Sequence, residues 1–169
     1  MTFITRRSRT WIASLLALLL FVTACGAPQT ESRWDQPAAD SPAQVDRGDI
    51  LQGSQFNAYF PDEGDGYERI YTQEKRGFAE AKLKKDGAEL AMLSVSDTVS
   101  NPNAAEKYRA SSQSIAGYPA ATIGSTATGV LVGDRLQVKV LSRSDEFSEG
   151  DREQWLGRFD LDGLAQLAE

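Results

Sequence analysis

The chain predicts an α+β domain, an antiparallel sheet with helices packed against it. Three observations carry this. Between residues 68 and 142, apolar and polar residues repeatedly alternate with the two-residue period of half-buried strands. Two connections, Lys85-Asp86-Gly87 and Gly133-Asp134, are tight hairpin signals. Two helix starts interrupt the strands, Asn101-Pro102 and Ser148-Glu149-Gly150-Asp151.

The folded part is expected over residues 55–169. Phe56, Tyr59 and Phe60 stand at i, i+3 and i+4, which suits a short helical turn stopped before Pro61. Residues 62–66 form an acidic, turn-rich loop, and residues 68–73 read as the first strand. The second strand, 78–84, puts Ala79, Ala81 and Leu83 on one face. Asp86-Gly87 then turns the chain, because both central residues of that turn need positive φ. The return strand, 89–96, is apolar on both faces and is expected to be central and covered.

A helix follows, with Asn101 as N-cap, Pro102 at its first position and Gly117 ending it. Its inward stripe is Ala104, Tyr108, Ser111 and Ile115. Three strands come next, at 118–123, 126–132 and 135–142. Gly133 suits the first central position of a II′ turn. In the last strand Leu136, Val138 and Val140 alternate with Gln137 and Lys139, which predicts one wet face. Ser148 opens a helix that buries Trp155, Leu156 and Phe159, and Asp160 caps a final turn carrying Leu161, Leu164 and Leu167. The order is therefore βββα-βββα. The halves echo each other: Gly-Tyr opens each at 66–67 and 117–118, and L-S-x-S-D recurs at 93–97 and 141–145. An internal duplication would explain the echo. So would the ordinary preference for Ser and Asp where a strand gives way to a helix cap.

The N-terminus is a targeting segment. Arg6, Arg7 and Arg9 precede an apolar run from Trp11 to Phe21, followed by Val22-Thr23-Ala24-Cys25. The run is too short for a membrane span, which needs about 20 residues. The tetrad resembles the lipobox of bacterial lipoproteins, with Val22 where leucine is usual and Thr23 where alanine or serine is usual. That resemblance implies cleavage after residue 24 and acylation of Cys25, a palmitate-type lipid anchor on the extracytoplasmic side, at the periplasmic face or in a thylakoid lumen. Plain secretion would not need a cysteine there. Residues 25–54 read as the acylated cysteine and a disordered tether, rich in Pro, Gln, Ser, Asp and Ala with an isolated Trp34.

Charge and composition narrow the function. The chain has 18 Lys+Arg and 24 Asp+Glu; residues 1–24 hold three of the arginines and none of the acids. From Cys25 on, 15 basic face 24 acidic side chains, a net charge of −9. Such a surface repels phosphate backbones, so no nucleic-acid partner is expected. There is no histidine, which removes Ser-His and Cys-His nucleophiles and histidine metal sites. No phosphate-binding loop motif occurs. Asp62-Glu63-Gly64-Asp65-Gly66 lacks the alternating oxygen ligands of a calcium loop, so it reads as a solvated turn and no metal is expected. No cofactor is expected either. Carboxylate pairs for glycoside chemistry need only two acids, but no spacing singles a pair out.

Two features could contact a partner. Glu74-Lys75-Arg76 with Lys82, Lys84 and Lys85 is the main basic cluster, to be set against the wet face of a hairpin. Tyr118, beside Pro119, could be an exposed anchor or could pack under the helix. Trp155 reads as core rather than as a sugar platform.

Residues 56–167 resemble a group of uncharacterised lipoproteins of cyanobacteria. The segments that carry the resemblance are Gln73-Glu74-Lys75-Arg76-Gly77-Phe78-Ala79-Glu80-Ala81, Ile115-Ala116-Gly117-Tyr118-Pro119-Ala120, Gln137-Val138-Lys139-Val140-Leu141-Ser142 and Asp151-Arg152-Glu153-Gln154-Trp155-Leu156. The layout is also similar to the PsbP/Mog1-like fold, whose lipidated cyanobacterial members associate with photosystem II. The chain departs from that pattern: no Pro-x-Gly-Trp follows Gly66-Tyr67, and there is no histidine.

These readings converge on a non-enzymatic, lipid-anchored accessory or assembly protein that binds a membrane or envelope protein. The alternative is a carrier or sensor of a small hydrophobic ligand, which would need an apolar cavity near Tyr108, Trp155 and Phe159.

Overall fold

The computed structural model describes residues 50–169. The expected signal at 1–24, Cys25 and the expected tether up to residue 49, with Trp34, lie outside the described residues.

The chain runs through a 3-10 helix (Gly53–Tyr59), β1 (Tyr67–Lys75), β2 (Phe78–Lys85), β3 (Ala88–Asp97), a 3-10 turn (Thr98–Ser100) and α1 (Asn103–Arg109). It continues with β4 (Gln113–Ile115), β5 (Tyr118–Ile123), β6 (Ala127–Val132), β7 (Leu136–Ser142), α2 (Glu149–Leu156) and α3 (Leu161–Leu167). One antiparallel sheet of seven strands has the order β1-β2-β3-β7-β6-β5-β4. The architecture is α+β. β3 lies between β2 and β7, as its two apolar faces require.

The element order is βββα-ββββαα, and the difference from expectation lies at residues 110–117. Here α1 ends at Arg109, and the Ser111 hydroxyl accepts from the Gln113 N–H at 3.1 Å. Serine competes with the helix for backbone partners in this way. The released residues form β4. Ala116 and Gly117 both take positive φ, 51° and 86°, so Ile115 pairs with Tyr118 across a tight hairpin. Gly117 thus turns a hairpin rather than ending a helix. At the β6–β7 connection Gly133 and Asp134 both have positive φ, which is type I′ geometry and not II′. The packed chain also starts earlier than Gln55. The Leu51 N–H donates to Asp97, and a Cβ on Gly53 would lie 2.3 Å from the Phe78 carbonyl oxygen.

The sheet has two unlike faces. On the helical face, Ala79, Ala81 and Leu83 of β2 align with Val95, Leu93 and Ala91 of β3, and those with Val138, Val140 and Ser142 of β7. Trp155, Leu156, Phe159 and Leu164 close over them, with Phe56 and Phe60 from the 3-10 helix. Burying each such side chain stabilises the fold by about 1.5–3 kcal/mol. Ser148 and Asp151 exchange hydrogen bonds at the start of α2, and the Gly163 N–H donates to Asp160 at the start of α3 at 2.8 Å. Both caps match the sequence signals.

On the opposite face, α1 lays Ala105 and Tyr108 on Ala121 and Leu131. Its stripe is Ala105 and Tyr108, not Ala104, Ser111 and Ile115. Gly129 admits it, because a Cβ there would meet the Tyr108 hydroxyl at 2.5 Å. Gln137, expected on a wet face, is buried beneath α1 and donates to the Tyr108 hydroxyl at 2.7 Å. Strand alternation reports which residues share a face; it does not report what covers it.

The L-S-x-S-D echo does not superimpose the two halves. Leu93 pairs with Val140 on the helical face, whereas Leu141 pairs with Met92 on the other. The helices that follow the two segments, α1 and α2, also pack on opposite faces.

Candidate functional site

Among the described residues, the second face is only partly roofed. α1 has seven residues and packs on β5 and β6. Among the described elements, no helix covers β2 and β3 on this side. A cleft of about 780 Å³ opens there, between the start of α1 and the β1–β2 turn. Lys75 and Arg76 come from the turn, Phe78, Ser96 and Gln137 from the strands, and Ser100 and Asn101 from the segment before α1.

Asp97 organises the wall of the cleft. Its carboxylate takes both prongs of Arg135, Nε at 3.1 Å and Nη2 at 2.8 Å, and the N–H groups of Leu51 and Val99 at 3.0 and 3.1 Å. Burial pushes its pKa up, but the Arg135 and backbone hydrogen bonds outweigh burial and hold it below the usual carboxylate range. The Asp97 N–H also donates to the Gly77 carbonyl, and the Gly77 N–H to that of Leu51. Gly77 needs its positive φ of 74° for this turn. The turn carrying Lys75 and Arg76 is therefore tied to the end of β3.

Both Asp97 oxygens are committed to partners, so the group is not poised as a base. The Tyr108 phenol is pushed up to about 12 by burial, opposed by the Gln137 hydrogen bond, so it stays neutral at physiological pH. Lys75 places its ammonium 5.2 Å from the Phe78 ring centroid, a cation over an apolar floor. Lys75 and Arg76 both line the mouth. It suits an anionic occupant with apolar surface.

The residues singled out from sequence do not form one patch. Lys82 and Lys84 point to the cleft side of β2, and Lys82 pairs with Glu89 at 2.7 Å. Lys85 is one residue further and on the opposite face, where its ammonium sits 4.5 Å from the Tyr67 ring centroid. Strand parity splits the cluster. Tyr118 is half-buried against the helical-face core, and its hydroxyl donates to Asp162 at 2.7 Å. That hydrogen bond, with a smaller contribution from burial, raises its pKa. It latches β5 to α3 rather than standing free. Tyr108 lies on the other face of the sheet from Trp155 and Phe159, so these three share no cavity. Cys25 lies outside the described residues. The acidic loop is a turn: Tyr67 bridges back to Gly64, and the Glu63 carboxylate accepts from the Arg69 N–H at 3.1 Å. Among the described residues, no three potential ligands cluster for a metal.

Phe78, Ser96 and Gln137 are among the lining residues that sequence reasoning missed. The run Lys75-Arg76-Gly77-Phe78 carried a usable signal, two cations and a ring across a glycine turn. Gln137 carried none. No helix among the described residues is long and apolar enough to cross a membrane. No protein-family model, curated protein or solved structure matches the chain.

Proposed function

We propose that this chain is a non-catalytic, lipid-anchored accessory protein that binds an envelope or membrane protein through the cleft beside α1. The half-roofed sheet face carries this reading: a cleft of about 780 Å³ with Lys75 and Arg76 at its mouth and the Phe78 ring among its walls. An acidic segment with apolar side chains is the complementary partner. In a chain with a −9 charge from Cys25 on, the Lys75 ammonium beside the Phe78 ring is the feature such a segment would meet, because electrostatic complementarity selects partners and steers their approach. The acyl chains on Cys25 hold the domain at the membrane, on the extracytoplasmic side, where several chains together give stable anchoring.

The test is an in-cell crosslink and pull-down of tagged full-length protein from solubilised membranes. One dominant partner is expected. Cys25→Ser should release the protein from the membrane and reduce capture, and Lys75→Glu should abolish capture without changing membrane attachment. Undiminished capture by Lys75→Glu would refute the cleft as the contact, and unchanged attachment of Cys25→Ser would refute the anchor.

A further inference from the structure

Arg152 is the least expected buried group in the fold. It lies on α2 and is 4 % exposed. Its guanidinium donates from Nε to the Thr128 hydroxyl at 2.9 Å and from Nη1 to the Ser142 hydroxyl at 3.0 Å. Both acceptors are neutral. Among the described residues, no carboxylate lies within 4.0 Å of it, whereas Arg109, Arg135, Arg143 and Arg158 each reach one within that distance. A guanidinium stays protonated in proteins. A buried charge is normally matched by an opposite one. This one has hydrogen bonds but no counter-charge.

Arg152 also lines a pocket of about 230 Å³. This is below the roughly 300–1,000 Å³ of pockets for drug-sized ligands. Thr126 and Ser144 add hydroxyls to the wall. The Ser144 oxygen accepts from the Glu146 N–H at 3.2 Å, which leaves its O–H to donate. Asp145 and Glu149 also line the pocket, and both are exposed. The charge is therefore graded, with a cation in the interior and two carboxylates in solvent. A simple anion would be drawn to Arg152 but repelled by the rim. A molecule with both charges meets neither penalty. The pocket shares no lining residue with the cleft beside α1.

We propose that this pocket binds a small zwitterion, its anionic end on Arg152 and its ammonium at Asp145 and Glu149. A free amino acid and a phosphoethanolamine headgroup share this chemistry. Arg152 supplies a planar fork for the carboxylate or phosphate. The Glu149 carboxylate, already steadied by the Thr122 hydroxyl at 2.7 Å, supplies a counter-charge for the ammonium.

The test is calorimetric titration of the full-length protein with glycine, phosphoethanolamine, acetate and methylammonium, each to millimolar concentration. At least one zwitterion should bind, about tenfold or more tighter than acetate, with methylammonium silent. Glycine over phosphoethanolamine identifies the free amino acid as the source; the reverse order identifies the lipid headgroup. Arg152→Lys keeps the charge but loses the fork and should weaken binding about tenfold. Glu149→Gln keeps a hydrogen-bond acceptor for Thr122 and should weaken the zwitterion while narrowing its lead over acetate. No heat with either zwitterion, acetate as tight as glycine, or an unchanged lead in Glu149→Gln would overturn the proposal.

Discussion

The two faces of the sheet are built differently. The helical face is closed by α2, α3 and the 3-10 helix, with aromatic rings locked edge-on, such as Tyr67 against Trp155 at 4.9 Å between centroids. Among the described residues, the other face is roofed by one short helix resting on a small cluster and on the buried hydrogen bond from Gln137 to Tyr108. The first face supplies stability. The second leaves space beside its helix, and that space is the candidate binding cleft. A sheet covered equally on both sides would have no such cleft.

The largest expected effect tests this asymmetry directly. Trp155→Ala should cost about 3–5 kcal/mol in urea unfolding. Leu131→Ala, under α1, should fall near the low end for leucine, about 2 kcal/mol, because the short helix can settle into the gap. Equal losses would mean that both faces carry the fold alike.

Asp97 comes next, at the margin where the faces meet. Asp97→Asn removes the carboxylate that takes both prongs of Arg135 and should cost about 3 kcal/mol. Because the folded pKa of Asp97 is depressed, its contribution is fully present above the unfolded value of about 3.9 and is lost as pH falls below it toward the folded pKa. Unfolding of Asp97→Asn across the acid range should therefore be flatter than that of the wild type. Parallel curves would assign the acid sensitivity elsewhere.

Gly129→Ala sharpens the comparison from the α1 side. The added methyl would meet the Tyr108 hydroxyl at 2.5 Å and the Val138 carbonyl at 2.9 Å. A loss of about 1–3 kcal/mol is expected. Amide exchange should rise in α1 and stay unchanged in α2. A uniform rise would mean that α1 does not loosen independently.

The smallest effect belongs to the lysine hairpin. The Lys82–Glu89 pair is partly exposed on both sides, so Lys82→Ala should change stability by less than about 1 kcal/mol. A larger loss would give that pair a structural role the geometry does not suggest.

Most of the strands are legible in the sequence, for a local reason. Ala79, Ala81 and Leu83 alternate cleanly, and all three are buried. Ser148 and Asp160 cap helices where their side chains lead one to expect it. The candidate cleft is much less legible. Lys75 and Arg76 stand out as a basic run, but their companions Phe78, Ser96 and Gln137 lie on three different strands. Lys85 groups with Lys82 by closeness in sequence, yet the pleat sends them to opposite faces.

Local chemistry is enough to place hairpins, caps and alternating strands, because turn dihedrals, capping bonds and side-chain period involve only near neighbours. It is also enough to give the acidic charge and the lack of histidine. Packing alone settles the rest. Residues 113–115 become a strand because β5 offers an edge to pair with. Gln137 is buried because α1 lands on it. Arg152 loses solvent without gaining a carboxylate because α2 presses it between two hydroxyls of the sheet. These outcomes depend on contacts between residues far apart in the chain, and no local pattern encodes them.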